Sequence, residues 1–361
     1  AVQNALGAGA WGLYSALLYS YTYLMAPLAD PGLNQFTTRT LAAAPERYAV
    51  MAGGVLALKL WLALGYVVLT VVAGWWLAPG PEGLALLTLC ALTQAATAFL
   101  MYLRGVLQAH HLFGLDGLAS VLDKCLLMAL IGLALAAHLP FGPVAYAAAV
   151  LSAMLAAVGV MGVVVWRRIG WPAWRPVGWA EAQALLRGSV PFALMIVLFS
   201  TNERLNQLIL KTLAGDVANG LFAGAFRWFG AFSMYLWTVL PVFYARFARQ
   251  HAAPTPVQQA LFDTAQVVSG LPLLFVACVA WLYADQFFFL FDKATPEEVA
   301  LMARHLRALA PALALNGVFN VYSTYLTATG REGYVNALLA GAIALGAGLQ
   351  VACYGWLGPV A

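Results

Sequence analysis

The sequence predicts an all-α, polytopic membrane protein, and three observations carry that prediction. Of its 361 residues, 63% are hydrophobic and only 9% are charged. A soluble chain of this size is about 25% charged. The mean hydropathy is +0.83, so water cannot be the main solvent. The apolar runs are also long and lack strict alternation, which favours helices over barrel strands.

A helix needs about 20 apolar residues to cross roughly 30 Å of hydrocarbon. Candidate spans are 9–29, 50–77, 83–103, 118–138, 142–166, 189–212, 218–243, 264–286, 305–328 and 333–357. Between the first two lies DPGLNQFTTRTLAAAPERY, residues 30–48. The Pro31-Gly32 turn and the polar stretch after it predict a short interfacial helix. Residues 167–188, RRIGWPAWRPVGWAEAQALLRG, combine two prolines, three tryptophans and four arginines. Trp and Arg together favour a segment lying on the membrane face. It divides the chain into an N-terminal lobe (1–170), a linker (171–188) and a C-terminal lobe (189–361). Connections on the other side are short, the longest being FDKATPEEV near 291–299. No internal repeat is visible, although two lobes of similar span number allow a structural one.

Charge placement orients the spans. If 29–50 is cytosolic, that side carries Arg39, Arg47, Arg104, Arg167, Arg168, Arg175, Arg187, Arg246, Arg249 and Arg331. The opposite side has Lys211, Lys293, Arg304 and Arg307. Ten basic residues against four agree with the positive-inside rule. The net charge of +4 is small and gives no reason to expect a nucleic-acid partner. Ten spans would leave both ends outside, and the chain opens on Ala1. We therefore expect one further span before it and at least one after.

No catalytic or metal set can be argued. Cys90, Cys125, Cys278 and Cys353 are scattered through spans and form no Cys-x-x-Cys pair. His110 and His111 are adjacent, which on a helix points them about 100° apart. They read as interfacial loop residues. Glu297-Glu298 is loop, and Glu203 has no acidic neighbour in sequence. Glycines inside spans, such as Gly53-Gly54, Gly159 and Gly162, read as sites of close packing or bending.

The polar residues inside spans carry most of the functional information, because a charge at the bilayer centre costs roughly 3 kcal/mol. Asn202, Glu203, Asn206 and Gln207 form one stripe about 100° wide, with Arg204 at its edge. Asn316, Asn320, Ser323, Thr324 and Thr327 form a second. Lys59 and Arg227 each lie about nine residues into their spans, and Asp123-Lys124 lies in the first turns of another. Two readings are open for each group. The stripes are interhelical glue or the lining of a wet passage. The charges are snorkelling or structural ion pairs, or they form a cationic lumen suited to an anionic, phosphate-bearing guest.

Three stretches resemble the polysaccharide (O-antigen type) flippases of the MOP superfamily, which also holds MATE drug exporters and lipid II flippases. GAWGLYSALLYSYTYLMAPLADPGLNQFTTRTLA resembles a span ending in a D-x-G-L turn and a T-R-x-L-A helix. PFALMIVLFSTNERLNQLILKTLAGDVANGLFAGAFRWFGAFSMYLWTVLPVFYARFAR resembles the seventh and eighth spans. Glu203, Gly215, Gly220, Phe222, Arg227 and Pro241 stand at the family's positions there. APALALNGVFNVYSTYLTATGRE resembles the tenth span with its A-x-G-R turn, here Ala328, Gly330 and Arg331. YLRGVLQAHHLFGLDGLASVLDK is closest to Bacteroidetes members. The acidic position is Glu203, where aspartate is more usual in the family.

The resemblance implies a two-lobed MOP/MATE-like bundle of about 12–14 spans, of which about ten are present. The N-terminal lobe would hold spans 2–6 and the C-terminal lobe spans 7–11. It implies a flippase of the bacterial inner membrane that takes a polyprenyl-diphosphate-linked oligosaccharide, a lipopolysaccharide precursor among them, across by alternating access. Substrate-binding candidates are Lys59, Lys124, Arg204, Arg227, Asn202, Asn206, Asn316 and Asn320. Glu203 and Asp123 are candidates for coupling to H⁺ or Na⁺, and no other cofactor is expected. Partners would be the lipid-linked glycan, membrane lipids and other polysaccharide-assembly proteins. A MATE-like cation-coupled drug exporter is the first alternative, but it calls for an acidic lining. A glycan polymerase or ligase would need a larger external loop. A non-transporting scaffold is the last reading.

Overall fold

The computed structural model describes Tyr14 and residues 16–77, 80–137, 142–170, 172, 176–250, 255–288 and 295–357. Among these residues the protein is all-α, with no strand. A helical lead-in runs through a π-helix, Ala16–Thr22, a short α-turn, Tyr23–Met25, and a 3-10 turn, Ala26–Leu28. The main helices follow: α1 (Leu33–Ala43), α2 (Tyr48–Gly74), α3 (Gly80–Ala109), α4 (Phe113–Ala136) and α5 (Pro143–Arg168). Then come α6 (Trp179–Arg249), α7 (Thr255–Leu282), α8 (Pro296–Ala328) and α9 (Glu332–Leu357).

Among the described residues, eight stretches are long and apolar enough to cross a membrane, in α2, α3, α4, α5, α7, α9 and twice in α6. The two in α6 are Trp179–Phe199 and Gly220–Arg249. Two of the ten expected spans differ. Residues 9–13 of the first lie outside the described residues. The span at 305–328 is helical within α8 but falls short in apolarity, because Asn316, Asn320, Ser323, Thr324 and Thr327 dilute it. The break expected between 212 and 218 is not a break in the helix. No proline stands between Pro191 and Pro241, so no backbone donor is lost there.

The chain divides into two compact units, residues 1–193 and 194–361. In the first, the short helix expected between the first two spans is present as α1. It starts at Gly32, whose φ of 81° lies in the left-handed region that glycine adopts without strain. Gly32 also sits against the first turns of α6. A Cβ there would fall 2.6 Å from Phe192 Cβ and 2.8 Å from the Ser189 carbonyl. Arg39 of α1 lies over the Phe192 ring at 5.0 Å.

Tyrosine hydroxyls lock these helices by donating to backbone carbonyls of neighbours. Tyr21 donates to Thr70 (2.9 Å), Tyr66 to Thr22 (3.0 Å), Tyr102 to Ala52 (3.1 Å) and Tyr48 to Gly170 (3.2 Å). Between them sits an apolar core including Leu17, Leu86, Leu87, Cys90 and Ala147, with Tyr14 edge-on to Tyr146. The turn between α3 and α4 carries His110 and His111, as expected of loop residues, with His111 at φ 58°. Asp116 closes the turn by accepting from Arg104 Nε at 2.6 Å and Gln108 Nε2 at 2.9 Å.

In the second unit α8 begins with a capping box. Thr295 Oγ1 accepts from the Glu298 amide, and Glu298 Oε2 accepts from the Thr295 amide at 2.8 Å. The helix then packs on α7 at close range. Gly317 would place a Cβ 2.9 Å from the Ser269 carbonyl and 3.1 Å from Gly270 Cα. Leu236, Leu273, Ala277, Ala310 and Leu313 fill the seam between α6, α7 and α8. Arg307 pairs with Asp285 at the end of α7. Residues 291–294 of the expected external loop, with Lys293, and Arg175 of the interfacial segment lie outside the described residues.

Gly32→Ala should lower stability by about 1–3 kcal/mol, from backbone strain and the clash with α6. Gly65→Ala, where no atom lies within 4 Å of the added carbon, should leave stability unchanged or slightly raised. Thermal unfolding of the detergent-solubilised protein measures both.

Candidate functional site

Lys59 sits in the middle of α2 with its side chain 1% exposed. An amine so placed cannot reach water, and it is satisfied inside the first unit. Its Nζ lies 3.3 Å from Asp30 Oδ2 and donates to Asn34 Oδ1 at 3.0 Å. The Tyr102 ring lies 5.8 Å away. Asp30 Oδ1 in turn accepts from the Asn34 amide at 3.3 Å, in the first turn of α1, where the helix dipole favours a carboxylate. The lysine therefore ties the interfacial helix to the bundle. The sequence reading picked out Lys59 but not its partners. Asp30 and Asn34 lie in the turn before α1 and in its first turn, outside the expected spans.

Asp123 and Lys124 pair with each other on α4, Nζ to Oδ2 at 3.0 Å. Lys124 is 70% exposed and Asp123 13%, so the ammonium is free to swing outward. Arg227, in the part of α6 belonging to the second unit, is exposed and has no ion-pair partner among the described residues. Asn202 and Asn206 are half-buried on the same helix. The Asn206 carbonyl accepts from Gln350 Nε2 of α9 at 3.3 Å. Glu203, Arg204 and Gln207 are helical, but their side chains lie outside the described residues.

Asn316 and Asn320 are brought together. Asn320 Nδ2 donates to Asn316 Oδ1 at 2.7 Å, and Asn316 Nδ2 donates to Ser233 Oγ of α6 at 3.0 Å. This is a polar bridge between α8 and α6 within one unit. Thr327 returns its hydroxyl to the Ser323 carbonyl of its own helix at 2.6 Å. No group of three or more His, Cys, Asp or Glu able to hold a metal is found among the described residues.

The sequence model for polysaccharide biosynthesis proteins matches residues 1–251, more than two thirds of the chain. The chain belongs to this family. Its fold is similar to those of solved transporters of the MOP superfamily. An outward-facing multidrug resistance MATE transporter of that superfamily superposes with a TM-score of 0.77 at 18% identity, covering 99% of this chain and 83% of that one. MATE in complex with MaD5 gives 0.76 at 17%, covering 99% and 86%. A MOP transporter from Pyrococcus furiosus, described as having a binding pocket of reverse polarity, gives 0.73 at 17%, covering 98% and 84%. At these identities the likeness concerns the fold. A search of curated proteins found no match.

For this family member, Lys59→Met would strand the Asp30 carboxylate and should lower stability by about 3 kcal/mol or more. Adding Asp30→Asn should recover most of the loss, and the double-mutant cycle reads the pair directly. Asn316→Ala should cost only about 0.6 kcal/mol, the usual worth of a hydrogen bond between membrane helices. Unfolding in one detergent measures all four variants.

Proposed function

We propose that the protein is a flippase that carries a polyprenyl-diphosphate-linked oligosaccharide across the bacterial inner membrane. Its membership of the polysaccharide biosynthesis family carries the reading, and the transporter fold supports it. More than three residues from either end of the expected spans, four basic residues (Lys59, Lys124, Arg204, Arg227) stand against two acidic ones (Asp123, Glu203). That balance suits a diphosphate, whereas cationic drugs call for the opposite sign. The Pyrococcus furiosus neighbour is described as having a pocket of reversed polarity and a different function, so the fold is not tied to one charge of guest.

Arg227 is the residue we assign to the diphosphate, with Arg204, Asn202 and Asn206 of the same helix as further contacts, and Lys124 of the first unit is a separate candidate. Lys59 has its charge spent on Asp30, so a diphosphate would reach it only by displacing that carboxylate. Asn316 and Asn320 would contribute chiefly by holding α8 to α6. Glu203 or Asp123 would take up H⁺ or Na⁺, and other assembly proteins would deliver and receive the glycan.

The test is export of surface glycan in a strain lacking the full-length protein, complemented with variants. Arg227→Glu should abolish export at unchanged membrane abundance. Export at the wild-type level would overturn the assignment. Unchanged glycan together with new sensitivity to cationic dyes in the deletion strain would favour a drug exporter.

A further inference from the structure

The first unit holds a cavity of about 300 Å³ that the site above does not use. It lies where α2, α3 and α5 meet at the arginine-bearing end of α5. Its walls are ring and hydrocarbon: Tyr48 opens α2, Phe99 and Tyr102 come from α3, and Trp166 stands near the end of α5. Both tyrosine hydroxyls are already spent, Tyr48 on the Gly170 carbonyl and Tyr102 on the Ala52 carbonyl. The rings therefore face the space with no polar group left for a sugar or phosphate. Such a cavity rewards hydrocarbon alone.

Gly159 and Gly162 make the space. Close packing or bending is expected of them from sequence, and no atom lies within 4 Å of where a Cβ would stand at either. They stand beside an opening, and both line the cavity. Trp166, at 57% exposure, marks its mouth. Next to it in sequence are Arg167 and Arg168, and next to Tyr48 is Arg47, all three exposed. An apolar slot with exposed arginines beside its lining residues in sequence, at one end of membrane helices, is complementary to an anionic lipid.

We infer that this cavity is a binding site for an anionic glycerophospholipid, one chain lying over Gly159 and Gly162 and the phosphate held by Arg47, Arg167 and Arg168. The inference does not depend on what the protein transports. The chain supplies the apolar contact that the spent hydroxyls require. The rim selects the headgroup, each arginine contributing roughly a fivefold preference for the anionic lipid.

The test uses the full-length protein in bilayers, with Trp166 fluorescence isolated as the difference from Trp166→Phe. Brominated phosphatidylglycerol should quench that signal saturably at low mole fraction. Brominated phosphatidylcholine should quench only in proportion to its abundance. Gly162→Leu, whose Cβ has no atom within 4 Å, should fill the slot and remove the saturable phase while unfolding at an unchanged or higher temperature. Arg167→Gln with Arg168→Gln should keep chain binding but lose most of the headgroup preference. Equal quenching by both lipids, or a saturable phase that survives Gly162→Leu, would overturn the proposal. So would displacement of phosphatidylglycerol by a small fraction of polyprenyl phosphate, which would assign the slot to a cargo tail.

Discussion

The hydrocarbon of a bilayer offers no hydrogen-bond partner, and that absence shapes where many of the hydroxyls in these helices bond. A soluble protein can leave a hydroxyl to water. Here Thr22, Thr88, Thr93, Thr97 and Ser152 each return theirs to the carbonyl four residues back. Buried tyrosines spend theirs on the carbonyls of neighbouring helices, which turns a solvation requirement into helix-to-helix bonds. The Lys59–Asp30–Asn34 cluster is the same rule applied to a charge. An ammonium in the middle of a span is tolerated because a carboxylate and an amide from one turn of chain meet it together.

That cluster also illustrates why a buried charge is poor evidence of a binding surface. A pair of ions withdrawn from water gains little net stability, while removing either one is strongly destabilising. Lys59 is thus a fastening first. Arg227, exposed and without a described partner, keeps its charge available. Two cations that look alike in hydropathy therefore hold different positions in an argument about cargo.

The helical class, most spans and the interfacial helix at 33–43 were legible in the sequence, because apolar length and the Pro31-Gly32 turn are local signals. The identity of partners was not. Asp30 and Lys59 are separated by a helix and a turn, and Ser233 and Asn316 by 83 residues, so nothing in spacing joins them. The glycines misled in one place. Gly317 does mark a close approach, whereas Gly159 and Gly162 mark a space, and the sequence around each is equally apolar. What distinguishes them is how closely the neighbouring helix approaches the glycine. The continuity of α6 was missed because Gly215 and Gly220 suggest a turn, and glycine permits a break without requiring one.

The polarity of α8 bears on how the protein is made. Taken alone, its stretch around Asn316 and Asn320 is a poor candidate for partitioning out of the translocon, since Asn316 would enter lipid without the Ser233 hydroxyl it donates to. α7, immediately before it, is amply apolar, and Gly317 lets the two backbones approach within side-chain-free distance. The favourable route is entry of α7 and α8 as one hairpin, the second helix carried in by the first. Biogenesis of this half of the chain is then cooperative at the level of helix pairs, and the external connection between them sets how soon the pair can close.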